Sequence, residues 1–141
     1  MRLFLDTSAL VKNYIEEAGS DNVANLMHDS EVINVSSLTL IECFSTLRRV
    51  LHEKLITKKQ YETLKKEISQ DFDYFETVRS ASALQYCERL IDKYQLKTLD
   101  SIQLGSCLCA RQDIDAFVCC DRKLLGAAKR ENLRTIDPLE I

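Results

Sequence analysis

The stretch MRLFLDTSAL (residues 1–10) decides how the rest of the chain is read. Leu3, Phe4 and Leu5 form an apolar run of strand length, and the run stops on a charge, Asp6. Two small hydroxyl residues, Thr7 and Ser8, then lead into helix formers. A strand that hands over to a helix across one acid opens a β-α unit, with the acid at the carboxyl end of the strand. The spacing predicts a strand over residues 2–6 and a helix over 7–16, carrying Ala9, Leu10, Asn13 and Tyr14.

The same alternation continues outward. Gly19 marks a turn, Ser20 or Asp21 a helix cap, and Val23, Leu26 and Met27 a second helix, followed by a strand in EVINVSS (31–37). From Leu38 to Glu53, Leu40, Ile41, Phe44, Leu47, Val50 and Leu51 recur at three- and four-residue intervals, the pattern of an amphipathic helix. A Thr57-x-x-Gln60 capping box opens the next helix, with Tyr61, Leu64, Ile68, Phe72 and Phe75 on one stripe, and the two helices are expected to pack as a hairpin. ETVRS (76–80) holds a brief strand, and a helix opened by Ser80 or Ser82 follows. Another helix starts just after Asp100. AFVCC (116–120) reads as a buried strand ending on Asp121, RKLLGAAKRENL (122–133) as a helix, and RTIDPLEI (134–141) as a short edge strand closed by Pro138. Strands alternating with helices define an α/β fold with a mostly parallel sheet.

Composition supports that reading and narrows the function. A chain of 141 residues buries roughly 68% of its unfolded surface, enough for a core without staples. With 45% hydrophobic residues, three Gly and one Pro, and with no repeat, linker or low-complexity segment, one domain over residues 1–141 is expected. The N-terminus lacks the apolar core of a signal peptide, and no apolar run approaches the ~18 residues that span a bilayer, so a cytoplasmic protein with no membrane role is expected. The six cysteines do not suggest disulfides in such a setting. Cys107 and Cys109 lie on different sides of a helix, and Cys119 and Cys120 on opposite faces of a strand, so neither pair chelates zinc by itself. A net charge of −3 argues against binding nucleic acid by overall charge, and any such role must rest on a local site.

Four acids occupy comparable places: Asp6 after the first strand, Glu42 in the first turns of a helix, Asp100 at a helix start and Asp121 after the penultimate strand. Each has a structural explanation. Asp6, Asp100 and Asp121 suit N-caps, and Glu42 completes a Thr39-x-x-Glu42 capping box. Yet capping accepts Ser, Thr and Asn equally well, and Ser20, Ser36 and Thr57 are available for it elsewhere. In a parallel sheet the strand ends and the following helix starts share one rim, so Asp6 and Asp121 must meet there and Asp100 can join them. Carboxylates gathered in one cleft repel unless a cation is added. Oxygen-only donors suit Mg²⁺ or Mn²⁺, ions that bind phosphate oxygens and serve phosphodiester chemistry.

FLDTSALVK, TLIECFSTLRR, LKTLDSIQLGSC and FVCCDRKLLGAAKRENL resemble, in order and spacing, the four acidic motifs of the PIN-domain ribonucleases, and in particular the VapC-like toxins of type II toxin–antitoxin pairs. The resemblance covers nearly the whole chain. It implies a three-layer α/β/α sandwich and a Mg²⁺-dependent endoribonuclease, with Mn²⁺ able to substitute. It also implies a catalytic set of metal-binding acids at Asp6, Glu42, Asp100 and Asp121, with an accessory hydroxyl at Ser8; within that set Asp6, Asp100 and Asp121 are expected to hold the metal and Glu42 to bind or orient the attacking water. Hydrolysis would leave a 5′-phosphate and a 3′-hydroxyl. A small antitoxin covering the acidic cleft is implied, as is a homodimer built from helices around residues 40–75. One departure stands out: the family often has Thr or Ser two residues before the last acid, where this chain has Cys119.

Arg122, next to Asp121 at a helix N-terminus, is a candidate contact for an RNA phosphate. Arg48 and Arg49 lie about two turns beyond Glu42; Lys123, Arg49 and the KK pairs read as solvated helix faces, and His28 and His52 fall outside the motifs. Two other functions compete. Asp6 as a phosphoryl-accepting nucleophile would make a phosphatase, although such enzymes carry a second acid two residues on, where Ser8 stands here. A PIN-like module that only binds RNA or protein is the non-enzymatic alternative.

Overall fold

The computed structural model describes all residues from Met1 to Ile141. Five strands form one sheet: β1 (Arg2–Leu5), β2 (Val32–Ser36), β3 (Glu76–Val78), β4 (Ala116–Val118) and β5 (Thr135–Ile136), in the order β3-β2-β1-β4-β5. Every pairing is parallel, so the sheet is wholly rather than mostly parallel. The α-helices are α1 (Thr7–Leu10), α2 (Ser20–Asp29), α3 (Thr39–His52), α4 (Lys58–Phe72), α5 (Ser80–Tyr94), α6 (Thr98–Cys109) and α7 (Arg122–Arg130). Together they make the three-layer α/β/α sandwich.

β1 is the central strand, and its apolar run is explained by burial on both faces. Leu3 and Leu5 join Ala116 and Val118 in a core with Leu10, Val23, Leu47 and Ile68, beneath α1 to α4. Phe4 points the other way, into a core with Leu90, Leu104 and Leu124 beneath α5 to α7. There its ring centroid lies 5.9 Å from that of Phe117, its register partner on β4. The chain builds outward from β1 to β2 and β3, then returns to the other side for β4 and β5. The topological switch therefore falls between β1 and β4, where a parallel sheet opens a crevice beyond its strand ends.

Several expected boundaries shift for identifiable reasons. The helix expected over 7–16 is α1 followed by a 3₁₀ turn at Val11–Asn13. The chain breaks there because Tyr14 turns inward, 8% exposed, and its hydroxyl donates to Asp71 of α4 at 2.7 Å. Ser20 and Asp21 do not cap α2; Gly19, at φ +87°, occupies that position, while the Ser20 hydroxyl accepts from the Glu17 amide and donates to the Ile15 carbonyl. Ser36 accepts from the Leu38 amide and so holds a turn rather than a helix end. α5 begins at Ser80 with no side-chain cap, because the Ser80 amide donates to Ser37 across the sheet edge. Cys119 and Cys120 lie beyond the end of β4. The Thr57–Gln60 box forms with both bonds in place, the α3–α4 hairpin packs through Leu47 and Ile68, and all six cysteines are free thiols. Ile41, on the expected apolar stripe of α3, is 63% exposed.

Gly105 lets α6 approach α5: a Cβ there would stand 2.9 Å from the Ala83 carbonyl oxygen. The far end of this layer is fastened by Glu131, whose carboxylate accepts two bonds from Arg89, at 2.8 and 3.1 Å, and a third from the Tyr94 hydroxyl. The Arg89 hydrogen bonds hold its pKa down, near 2 rather than 4.5, against a smaller opposing effect of burial. A carboxylate with a lowered folded pKa contributes stability that is complete above its unfolded value and is lost as pH falls through the folded one. Glu131→Gln is therefore expected to cost on the order of 2 kcal/mol at neutral pH, the half-exposed Arg89 being partly screened. The gap from wild type should narrow between pH 4.5 and 2, as read by urea unfolding across that range.

Candidate functional site

The crevice at the switch point is a cleft of about 1290 Å³ whose lining includes Asp6, Glu42, Asp100 and Asp121. The sheet brings the first and last together. Asp6 follows β1, its amide donating to Val118 of β4, and Asp121 follows β4. Both also cap helices: Asp6 accepts from the Ala9 amide at 3.0 Å and Asp121 from the Leu124 amide at 2.8 Å. The other two acids are not caps. α6 begins at Thr98, so Asp100 sits inside its first turn. The expected Thr39–Glu42 capping box does not form, because α3 starts at Thr39 itself after an uncapped Leu38. Both side chains turn instead toward Thr7 and Gln103. Asp100 and Glu42 are thus left to the cleft rather than to their own helix ends.

The charges are poorly compensated. Asp6 is 4% exposed, and burial raises its pKa to about 6, against the opposing bonds from Ser8 and Ala9. Asp100 is also raised, first by burial and then by Asp121 and Glu42; Lys97 and Lys123 offset this only in part. None of the four acids takes part in a salt bridge. One oxygen of Glu42, one of Asp121 and both of Asp100 accept no hydrogen bond within the protein. This donor set, all oxygen and in excess of nearby positive charge, fits a hard divalent cation. The side chains line the cleft without closing on a point: no three stand close enough to share an ion. Asp121 is the most exposed of the four, Glu42 and Asp100 are half-buried, and Asp6 is buried.

Ser8 works on Asp6. Its hydroxyl lies 2.8 and 2.9 Å from the two carboxylate oxygens and accepts from the Cys120 amide at 3.2 Å, so it ties the first acid to the turn carrying the last. Cys119, at the position where a hydroxyl was expected, is fully buried; its sulfur accepts from the Asp121 amide at 3.3 Å and lies 3.9 Å from Ser8 Oγ. The thiol shapes the turn into Asp121 from beneath the cleft.

Some lining residues escape a sequence reading. Lys12, Arg49 and Lys59 line the cleft, whereas Arg122 lines a neighbouring groove with Leu125 and Lys129. Arg49 lies two turns beyond Glu42, a spacing that holds the clue. Lys12 and Lys59 carry no local signal; Lys59 sits in the first turn of α4, and the α3–α4 hairpin places it on the cleft wall. Gln103 stands one turn after Asp100 on the same helix face, which is the one pattern that could have exposed it. The cleft also has an apolar wall that includes Val11, Ile15, Leu55, Ile56 and Leu64.

A wholly parallel α/β/α sandwich with acids collected at the switch point defines a class of small acidic-cleft domains. The chain belongs to the PIN domain family, which it matches over residues 3–130. A comparison with curated protein sequences returns no match. Among solved structures, the fold is similar along its whole length to a chain of a toxin–antitoxin complex from Klebsiella pneumoniae, at 15% identity, 100% coverage of both chains and a TM-score of 0.70. It is similar to a chain of VapBC2 from Rickettsia felis, bound to a fragment of promoter DNA, at 18% identity, 97% and 98% coverage and a TM-score of 0.66. It is also similar to VapC20 of Mycobacterium tuberculosis, a toxin that cleaves the sarcin–ricin loop, at 17% identity, 89% and 94% coverage and a TM-score of 0.65. No helix is long and apolar enough to cross a membrane.

Proposed function

We propose that the protein is a cytoplasmic, Mg²⁺-dependent endoribonuclease, the toxin of a toxin–antitoxin pair. The observation that carries this reading is the set of four carboxylates lining one cleft without a paired cation. Family membership and the likeness to toxin structures support it. Asp6, Asp100 and Asp121 would hold Mg²⁺, or Mn²⁺ in its place. When bound, the ion supplies charge neutralisation at the scissile phosphate and a lowered pKa for the attacking water.

The remaining roles belong to the chain. Glu42 keeps one oxygen anchored by Thr7 and Gln103 and the other free, so it can orient the water and take its proton as the water oxygen bonds to phosphorus and the P–O3′ bond breaks, the 3′ oxygen leaving with a proton from solvent. Ser8 holds the Asp6 carboxylate in one rotamer through its double contact. Lys59 and Arg49 on the cleft wall suit the flanking phosphates of a single strand. Arg122, outside the cleft, is at most a contact for a more distant phosphate.

The apolar wall beside the acids suits an amphipathic segment of a small antitoxin, which would bury Leu55, 70% exposed, while covering the carboxylates. A homodimer through the α3–α4 hairpin belongs to the same proposal; Tyr74, just beyond α4, is 86% exposed.

The test is incubation of the purified chain with a defined RNA pool in EDTA and then in excess Mg²⁺. Cleavage that begins only with the metal is expected, with 5′-phosphate products. An intact pool under both conditions would replace the enzyme by a binding module.

A further inference from the structure

Gln103 is 3% exposed on α6 and belongs to none of the acidic positions. Its Nε2 donates to Glu42 Oε1 at 2.7 Å, and it lies 3.0 Å from Thr39 Oγ1 and 3.1 Å from Thr7 Oγ1. The Thr7 hydroxyl donates to the same Glu42 oxygen at 3.0 Å. One amide therefore joins α1, α3 and α6 beneath the cleft. Its other end is unmatched: Gln103 Oε1 is buried and has no hydrogen-bond partner.

That imbalance bears on what the residue is for. Turning the amide over would let Oε1 accept from the Thr39 hydroxyl, but would set it 2.7 Å from the Glu42 carboxylate, acceptor against acceptor. The Glu42 contact thus dictates the orientation and leaves a buried carbonyl unsatisfied, which is unfavourable for folding. A residue placed for packing alone would need no amide there, since an apolar side chain of similar length would leave no polar atom of its own unpaired. The position adds a second consequence. Gln103 lies one helical turn after Asp100, so a bond from it to Glu42 fixes α6 against α3 and sets the separation of these two acids.

We propose that Gln103 is a positioning residue for the nuclease reaction: through its amide it clamps Glu42 and holds it in register with Asp100. This rests on the reading of the cleft as a ribonuclease site. Support of this kind from a residue behind the ligands is worth about 10- to 100-fold in activity.

The test uses the full chain, Mn²⁺ and a quenched fluorescent single-stranded RNA. Gln103→Met keeps the length and removes the donor. It is expected to lower kcat by about 10- to 100-fold with KM within about threefold, while Tm changes by less than about 3 °C, because the orphaned carbonyl goes as well. Gln103→Glu, which sets an acceptor against Glu42, should lower kcat at least as much. Independently of turnover, the Gln103 side-chain amide protons of the metal-free wild type, assigned by NMR, should exchange slowly and shift markedly in Glu42→Gln. Wild-type kcat in both variants overturns the clamp, as does a freely exchanging Gln103 amide that ignores Glu42→Gln. A wild-type protein that leaves the RNA intact would instead overturn the nuclease reading, with the amide experiment still deciding whether the clamp exists.

Discussion

Asp100→Asn is expected to reduce metal-dependent RNA cleavage by about a thousandfold or more while the fold is kept. The substitution preserves shape and removes one charge from the only one of the four acids whose oxygens make no bond within the protein. It contributes no helix cap, since α6 starts two residues earlier. Its pKa is raised by burial and then by Asp121 and Glu42, so losing the charge relieves repulsion in the metal-free protein. Activity and stability should therefore move in opposite directions. The assay is cleavage of a fluorescent RNA alongside a thermal melt, and cleavage within threefold of wild type would remove Asp100 from the site.

Asp6→Asn should stabilise the metal-free protein at alkaline pH. The folded pKa of Asp6 is about 6, above its ordinary value of 3.8, chiefly because the group is buried. A carboxylate whose folded pKa is raised binds its proton more tightly in the native state. Native stability then gains as pH falls through this window and loses as it rises. At about pH 8 the ionised, buried group costs up to about 3 kcal/mol, the equivalent of that shift. Asparagine removes the charge and can still accept from the Ala9 amide as an N-cap. In EDTA, the variant should be more stable than wild type by up to about 3 kcal/mol near pH 8, with the difference gone below about pH 4. A saturating divalent cation should narrow the gap by stabilising the wild type alone. Chemical unfolding at several pH values, with and without Mn²⁺, reads both effects, and a pH-independent difference would contradict the burial argument.

The stretch at residues 1–10 is legible for a local reason. Leu3, Phe4 and Leu5 declare a strand buried on both faces, and a charge placed directly after it must be either a cap or part of a site. Asp6 is a cap, and it also lines the cleft. Asp121 repeats the pattern at β4, and parallel-sheet topology alone requires the two to share a rim. The pairing of Asp100 with Glu42 is less legible, because it depends on how α6 and α3 cross beneath the cleft. The local capping rules pointed elsewhere for both: Thr39 and Glu42 satisfy a capping-box pattern that tertiary contacts with Thr7 and Gln103 override.

The basic residues show the same limit. Arg122 adjoins Asp121 in sequence, yet the direction of α7 carries its side chain into another groove. Lys59 is remote in sequence from every acid, and the α3–α4 hairpin swings it onto the cleft wall. Chain neighbours of a strand end are placed by local geometry. Residues that arrive on a hairpin are placed by packing, which no short motif records.

These carboxylates together are expected to bind a divalent cation. Titration of Mn²⁺ into metal-free protein, followed by the loss of the free-ion signal in electron paramagnetic resonance, tests this most directly. Saturable binding to the wild type, weakened by about tenfold or more in Asp100→Asn and in Asp6→Asn, is the predicted result. Undiminished free Mn²⁺ with the wild-type protein, or equal binding by all three, would contradict it.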